Sequence, residues 1–402
     1  MMLSAIQDKS AISVSRLVLF IGLTVKAAGL ALVLVLLPPL GRLMGFSDLQ
    51  TGLVMSASAL VAILAAPVWG GVSERMGRKP VLLIGFVSLS ICLFLMAAII
   101  GTRLSGVVSA SLGLGMMLIV RIAQTGMVAG TVPAAQAFVA DTTERKTRVQ
   151  GMGILGAAFG LGAIVGSSLA WRVGADWPVS AFVGAAALVL AGAIAVLWLL
   201  PEPEKAVHDK QSNGAGVNFA LLWPHFLVTL VGVSLFSILQ QTTALRLQDY
   251  FHFAPSNSVA AAGAILAATS LAMILTQGIV LWWLNWTPLQ FIVRASVLAA
   301  LAFVGLWFAP GLELTFASMA VLGASLGLLF PGNLGAMSLA SGENVQGKVA
   351  GINAVFQGLG MAIGPVTGAL LNSVSASAIP LFGLGLCLLI MTVFWPKRRR
   401  LS

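Results

Sequence analysis

Apolar residues in this chain run in long, nearly unbroken blocks rather than at the spacings of amphipathic helices or strands. Blocks of about 20 residues or more fall at 16–38, 50–70, 81–101, 108–138, 149–170, 178–200, 219–245, 258–283, 288–309, 313–335, 347–371 and 378–396. At a rise of 1.5 Å per residue, such a block crosses the hydrocarbon of a bilayer. The pattern therefore predicts twelve membrane-spanning helices. Most connections are short and carry turn residues, as at 41–48, 171–177 and 310–311. One polar stretch is longer, 201–217, and its Pro, Gly and charged residues predict a linker after the sixth span. The expected organisation is a six-helix bundle over 1–200, a cytoplasmic linker over 201–217 and a second six-helix bundle over 218–402.

The two halves repeat. Gly153, Gly162 and Gly166 recur as Gly351, Gly360 and Gly364, and Pro133 recurs as Pro331, all at one offset of 198. Span five thus corresponds to span eleven, and span four to span ten. A parallel two-half repeat is the internal symmetry of transporters that rock about a site at the membrane midplane.

Composition agrees with this pattern. Hydrophobic residues make up 59% of the chain and charged residues 8%, with a mean hydropathy of +1.02; soluble domains carry about 25% charged residues. A large water-soluble enzyme is excluded. The net charge of +10 points to no nucleic-acid partner, because the basic residues sit in short segments between spans. With a cytoplasmic N-terminus, the inner side receives Lys9, Arg16, Arg75, Arg78, Lys79, Arg145, Lys146, Arg148, Lys205, Lys210, Lys348 and the cluster Lys397–Arg400, with Arg294 at its border. The outer side receives Arg42, Arg103, Arg172 and Arg246. This bias predicts both termini inside, in a multi-pass inner-membrane protein. The tryptophans, Trp69, Trp171, Trp198 and Trp286 among them, fall at or near span ends, as interfacial rings do. Cys92 and Cys387 lie in apolar runs with no CxxC pair, so neither a disulfide framework nor a metal site is expected. No cleaved leader is read at the N-terminus.

The second span ends in WGGVSERMGRKP. Gly70, Glu74, Arg75, Gly77, Arg78 and Lys79 there form the pattern G-x-x-x-[DE]-R-x-G-R-[KR], which resembles the loop signature of the major facilitator superfamily. The resemblance covers the whole chain and implies an all-α integral membrane fold of twelve transmembrane helices in two pseudo-symmetric halves. It also implies a gating latch, in which Glu74 engages the start of span eleven near Gly347 and Arg78 engages Asp141 at the end of span four. Gly70 is expected to let a neighbouring helix approach closely. The second-half copy, around Gln277 to Arg294, has almost lost its charges, so the latch is asymmetric. Span four reads RIAQTG and ends FVADTT, and span five reads GILGAAFGLGAIVG; these are similar to the tetracycline-resistance-type branch of drug:proton antiporters. Ser167 stands where that branch has proline, whereas span eleven keeps Gly364, Pro365 and Gly368. Gly153, Gly156 and Gly160 share one face of span five, and Gly162 and Gly166 the opposite one, so the helix can be packed tightly on both sides.

Two cations lie inside the spans. Lys26 is about ten residues into span one, roughly 15 Å deep, beyond comfortable snorkelling reach. It shares a face with Gly22 and Gly29. Arg121 lies 20 residues before Asp141 in span four, with Gln124 at i+3. In the resembling antiporters the matching arginine is tied to substrate and proton coupling. All twelve acids lie in loops or at span ends, whereas those antiporters carry an acid at or near the position of Lys26. Cations without buried anions predict a positive cavity whose counter-ion is the substrate. Gln240, Gln241, Asn333, Asn353 and Gln357 are candidates to complete the site from the second half; for each, helix-to-helix hydrogen bonding is the alternative.

The expected function is secondary active export of a small organic solute by alternating access, leaning to an anionic or carboxylate-bearing substrate such as a siderophore. Proton-coupled multidrug or tetracycline-like efflux is the first alternative, and an organic anion or metabolite importer the second. The small-molecule substrate, the lipid bilayer and protons as a coupling ion are the expected partners, with no cofactor, and the expected state is a monomer. No phosphate-binding G-x-x-x-x-G-K-[ST] loop occurs, which disfavours an ATP-driven pump. His208, His225 and His252 read as loop or span-end residues, so no catalytic cluster is expected.

Overall fold

The computed structural model describes residues 2–142, 148–202, 217–280, 283–284, 286–341, 345–375 and 377–398. In chain order, the helices are α1 (Met2–Leu43), α2 (Asp48–Met76), α3 (Arg78–Leu104), α4 (Ala110–Val128), α5 (Thr131–Thr142), α6 (Arg148–Leu169) and α7 (Pro178–Leu199). They continue as α8 (Phe219–Asp249), α9 (Pro255–Leu275), α10 (Pro288–Trp307), α11 (Leu312–Ser341), α12 (Gln346–Val374) and α13 (Ala378–Arg398). Eleven stretches are long and apolar enough to cross a membrane, α4 and α5 together forming one of them, Ala110–Val139. The apolar part of α13, Ala378–Phe394, is shorter. No strand occurs among the described residues, as lipid requires, since a helix satisfies its backbone polar groups within itself. Leu64, Trp198 and Val374 are at least three-quarters exposed, on surfaces that face hydrocarbon at little cost. Of the linker 201–217, only Pro201, Glu202 and Val217 lie within the described residues.

Two compact units emerge. The first comprises Met1–Phe46 with Ala57–His208, and the second Ser47–Ser56 with Asp209–Ser402. The first turns of α2 thus group with the second unit. There Gly52 lies against the Pro365 carbonyl and Ala369, and Asn372 Nδ2 donates to Asp48 Oδ2 at 3.2 Å and to Asp249 Oδ2 at 2.9 Å.

The repeat is visible in the helix contacts. A Cβ on Gly162 of α6 would meet the Thr24 carbonyl, Ala27 Cβ and Ala28 N of α1. One on Gly360 of α12 would meet the Leu230 carbonyl, Val233 Cβ and Ser234 N of α8, the same three atoms 206 residues later. Gly166 meets Ala28 and Ala31, and Gly364 meets Ser234 and Ser237, again 206 apart. Each fifth helix of a bundle therefore seats its glycines on the backbone of that bundle's first helix. The other face of α6 is different, for nothing lies within 4 Å of a Cβ on Gly156. The surroundings of Gly153 lie outside the described side chains.

Replacing Gly162 or Gly166 with valine is expected to lower the thermal midpoint of the purified protein, at a cost of about 1–3 kcal/mol for overpacking. Gly156→Ala is expected to leave the midpoint within error; equal melting of all three variants would contradict this seating.

Candidate functional site

The first unit isolates one cation. Helix α1 lies against α3, α6 and α7. Gly22 faces Phe86 and Val196, and Gly29 faces Leu93 and Val189, so the small-residue face around Lys26 receives large side chains from α3 and α7. The glycine seating of α6 brings Phe159, one turn before Gly162, to Lys26, whose Nζ lies 5.2 Å from the ring centroid. Lys26 is only 3% exposed. Among the described residues, this ring is the one partner recorded for its ammonium, with no hydrogen bond or ion pair. A ring face attracts a cation but leaves it a net charge in a low-dielectric site.

Arg121 and Gln124 are also buried in this unit, on successive turns of α4. Arg121 Nη1 donates to Gln124 Oε1, and Thr125 Oγ1 donates to the Arg121 carbonyl at 2.9 Å. Gln124 Nε2 is buried with no hydrogen-bond partner among the described residues. The unit therefore holds two buried cations and an amide donor with unused capacity.

The second unit separates the predicted polar residues into different roles. Gln241 is 2% exposed, and neither its Nε2 nor its Oε1 has a hydrogen-bond partner among the described residues, while its neighbour Gln240 is half-buried. Asn333 and Asn353 are buried in a hydrogen-bonded chain with Thr229 and His225. Gln357 is exposed, so it does not share the environment of Asn353, although the two are one turn apart. His225 is a correction to the sequence reading: it lies well inside α8 and is buried. The helix starts at Phe219, where the apolar block itself begins and where Asn218 caps it, so His225 is six residues inside it.

The loop signature gathers charges around the α2–α3 junction. Arg78 Nε donates to Asp141 Oδ2 at 3.1 Å, and its Nη1 to Ser73 Oγ at 3.1 Å. The Asp141 side chain is 3% exposed, so this acid is buried and paired rather than a surface residue of a loop. Glu202, unremarked in the sequence, accepts from the backbone N–H of Arg78 at Oε1 and of Lys79 at Oε2, the latter at 2.9 Å. It neutralises the N-terminus of α3, as a carboxylate at a helix start does. Gly77 makes room: its φ is 104°, and any Cβ there would strike the Glu202 carboxylate. Glu74 and Arg75 are exposed. Gly70 departs from expectation, since no described atom lies within 4 Å of a Cβ on it. The close approach is made one residue earlier, where Trp69 packs on Gly130 and donates Nε1–H to the Gly126 carbonyl at 2.7 Å. That tryptophan is consequently an interhelical contact rather than an interfacial ring.

The sequence pattern described as "Major Facilitator Superfamily" matches residues 19–365. Tetracycline resistance protein, class C, of Escherichia coli is 27% identical over 385 residues, covering 90% of this chain and 91% of that protein. Multidrug resistance protein 1 of Bacillus subtilis (strain 168) is 24% identical, covering 91% of each. Among solved structures, the human organic anion transporter MFSD10 (TETRAN) superposes with a TM-score of 0.69 at 22% identity, covering 95% of this chain and 99% of that one. The nucleoside transporter NupG gives 0.71 at 16% identity, with 95% and 98% covered. The fold is thus shared with transporters of this architecture.

A double-mutant cycle of Arg78→Met and Asp141→Leu, read by thermal unfolding, is expected to give a coupling energy of about 1 kcal/mol or more for this partly buried pair. Glu202→Gln is expected to cost less, about 0.5–1 kcal/mol, as loss of a charge at a helix start. A coupling of zero would remove the Arg78–Asp141 pair from the account.

Proposed function

The chain belongs to the major facilitator superfamily, and we propose that it exports a small organic anion, a carboxylate-bearing solute such as a siderophore being the leading candidate. It is a multi-pass membrane transporter of small molecules. The observation that carries the anionic reading is Lys26: a buried lysine, 3% exposed, whose recorded partner is the face of Phe159. Such a charge is costly in a spanning helix unless it is paired or hydrated, and a substrate carboxylate supplies a partner. Arg121, held by Gln124, is the second cation of the binding set. Gln241, with both amide atoms unused, is a binding residue contributed by the second bundle. Asn333, Asn353 and Gln357 complete the candidate set; the first two are already bonded to one another through Thr229, which favours a role within their bundle.

Alternating access proceeds between two six-helix bundles, 1–200 and 218–402. The pair Arg78–Asp141 and the Glu202 carboxylate fix the α2–α3 junction from which Glu74 and Arg75 project as the latch. The basic bias of the loops supports an orientation with both termini in the cytoplasm, in the inner membrane. The monomer is the working unit. Proton-coupled multidrug or tetracycline efflux is the second reading, favoured by the names of the relatives and disfavoured by a lysine where the resembling antiporters carry an acid.

The test is uptake into proteoliposomes of radiolabelled citrate, benzoate and a carboxylate siderophore, with tetracycline and ethidium as contrasts, with and without an imposed pH gradient. Wild type is expected to move an anion, and Lys26→Ala to lose about tenfold or more in apparent affinity for it, as fits a lost charged hydrogen bond. Full affinity of Lys26→Ala for the anion would overturn the reading; flux of the cations alone would favour the multidrug alternative.

A further inference from the structure

The ring beside Lys26 is itself in a position to choose what the ammonium meets. Phe159 stands on α6 one turn before Gly162, and Gly162 is seated on the backbone of α1. Lys26 Nζ therefore lies over the ring face, 5.2 Å from its centroid. Lys26 is 3% exposed, whereas Phe159 is only half-buried. Part of an aromatic surface is thus left uncovered next to a buried ammonium.

The flank of α6 that carries the ring has room beside it. Gly156 and Ala163, one turn to either side, lie within about 60° of Phe159 round the helix. Gly156 is exposed, and no described atom lies within 4 Å of a Cβ on it. Ala163 is half-buried. The large exposed residues Leu161 and Val165 stand on the other flank, more than about 100° away. The immediate neighbours of the ring on its own flank are therefore small.

The internal repeat shows what this pair is not needed for. The offset of 206 maps Lys26 onto Gly232, and the offset of 198 maps Phe159 onto Gln357. The second bundle makes the same glycine seating with neither a cation nor an aromatic ring at those places. Helix packing does not require the pair, and a cation at membrane depth is costly unless it serves something else.

The quadrupole of the ring restricts the approach to Nζ. A phenyl face is negative and its edge positive, so the face attracts the ammonium and repels a bare carboxylate oxygen. A carboxylate paired with Nζ at about 2.8 Å brings its carboxyl carbon, and whatever that carbon bears, beside the same ring. A saturated chain offers that face only weakly polar C–H bonds. An aryl group offers a positive edge, the partner an aromatic face takes in the T-shaped arrangement. An aromatic carboxylate meets both groups at once, its oxygens on the ammonium and its C–H edge on the ring.

We propose that Phe159 is a specificity-determining residue of the Lys26 site, and that it selects carboxylates borne directly on an aromatic ring over aliphatic ones of the same size. The inference rests on the anionic reading and narrows it. The charge holds a carboxylate, and the ring decides which one, favouring aryl acids over citrate-like ones.

Benzoate and cyclohexanecarboxylate are the probes, because they carry one charge on six-membered rings of similar size and differ in aromaticity. Burial alone favours the saturated ring, which is the more apolar, so the sign of the preference is diagnostic. Binding to the purified protein is measured by calorimetry at about pH 7.5, where both are ionised, and thermal unfolding checks that each variant is folded. Wild type is expected to bind benzoate about threefold to tenfold more tightly, the range of an aromatic pair. Phe159→Leu and Phe159→Met, either of which removes the ring and keeps apolar bulk, are expected to bring the ratio to one or below. Phe159→Tyr is expected to keep it. Lys26→Met is expected to weaken both ligands by about tenfold or more. Equal binding of the two by wild type, tighter binding of cyclohexanecarboxylate, or a benzoate preference that survives loss of the ring overturns the inference and leaves the anionic reading standing. Binding of citrate but not benzoate does the same. Wild type that binds none of the three, or affinities unchanged in Lys26→Met, overturns the anionic reading and this inference together.

Discussion

Lipid hydrocarbon supplies neither hydrogen bonds nor counter-charge, and the rest of the structure answers that one constraint. Backbone groups are satisfied within helices, and leucine and tryptophan stand exposed where a soluble protein would carry charges. Helices cannot be driven together by water, so they associate through close contact, and glycine is the residue that permits it. That is why the most conspicuous shared feature of the two bundles is a pair of glycines seated on a neighbouring backbone, Gly162 and Gly166 on α1, Gly360 and Gly364 on α8. Whatever polar groups remain inside must be paired with one another or held for something outside the chain.

Because the bundles solve the same packing problem, their differences are informative. Lys26 of α1 corresponds to Gly232 of α8, and His225 of α8 to Leu19 of α1. Lys26 and Arg121 are in the first bundle and the hydrogen-bonded chain is in the second, where Arg246 is also buried and donates to the Leu306 carbonyl. The charges at the α2–α3 junction follow the same logic at a wetter depth. The buried carboxylate of Asp141 is paired with Arg78, which Ser73 also holds, and Glu202 is placed where the N–H groups of a helix start need an acceptor.

The architecture was legible because its cause is crude: block length against bilayer thickness. The repeat was legible in Gly162, Gly166 and their copies because only glycine permits such contact. Lys26 and Arg121 stood out as charges in apolar runs. Other features left no such mark. Hydropathy places the start of the span holding His225 correctly at 219, but a histidine six residues from that start read as a span-end residue, because hydropathy does not show that the partners Asn333 and Phe394 bury it. Glu202 was hidden because a carboxylate in a polar stretch looks solvated until the fold brings it to the N-terminus of α3. Trp69 matched the pattern of interfacial aromatics, yet its N–H bonds to the carbonyl of Gly126, a partner 57 residues away that no local pattern reveals. Gly70 carried a motif expectation of close contact that Gly130 meets instead.

The central claim is that the enclosed ammonium of Lys26 is there to meet a carboxylate, and the most direct measurement compares a carboxylate ligand with its uncharged amide. Calorimetric binding of the tightest carboxylate from a panel, and of the corresponding amide, would be measured to wild type and to Lys26→Met. The account predicts a preference for the carboxylate of about tenfold or more in wild type, collapsing to near unity in the variant. Equal binding of the carboxylate by wild type and Lys26→Met would contradict it.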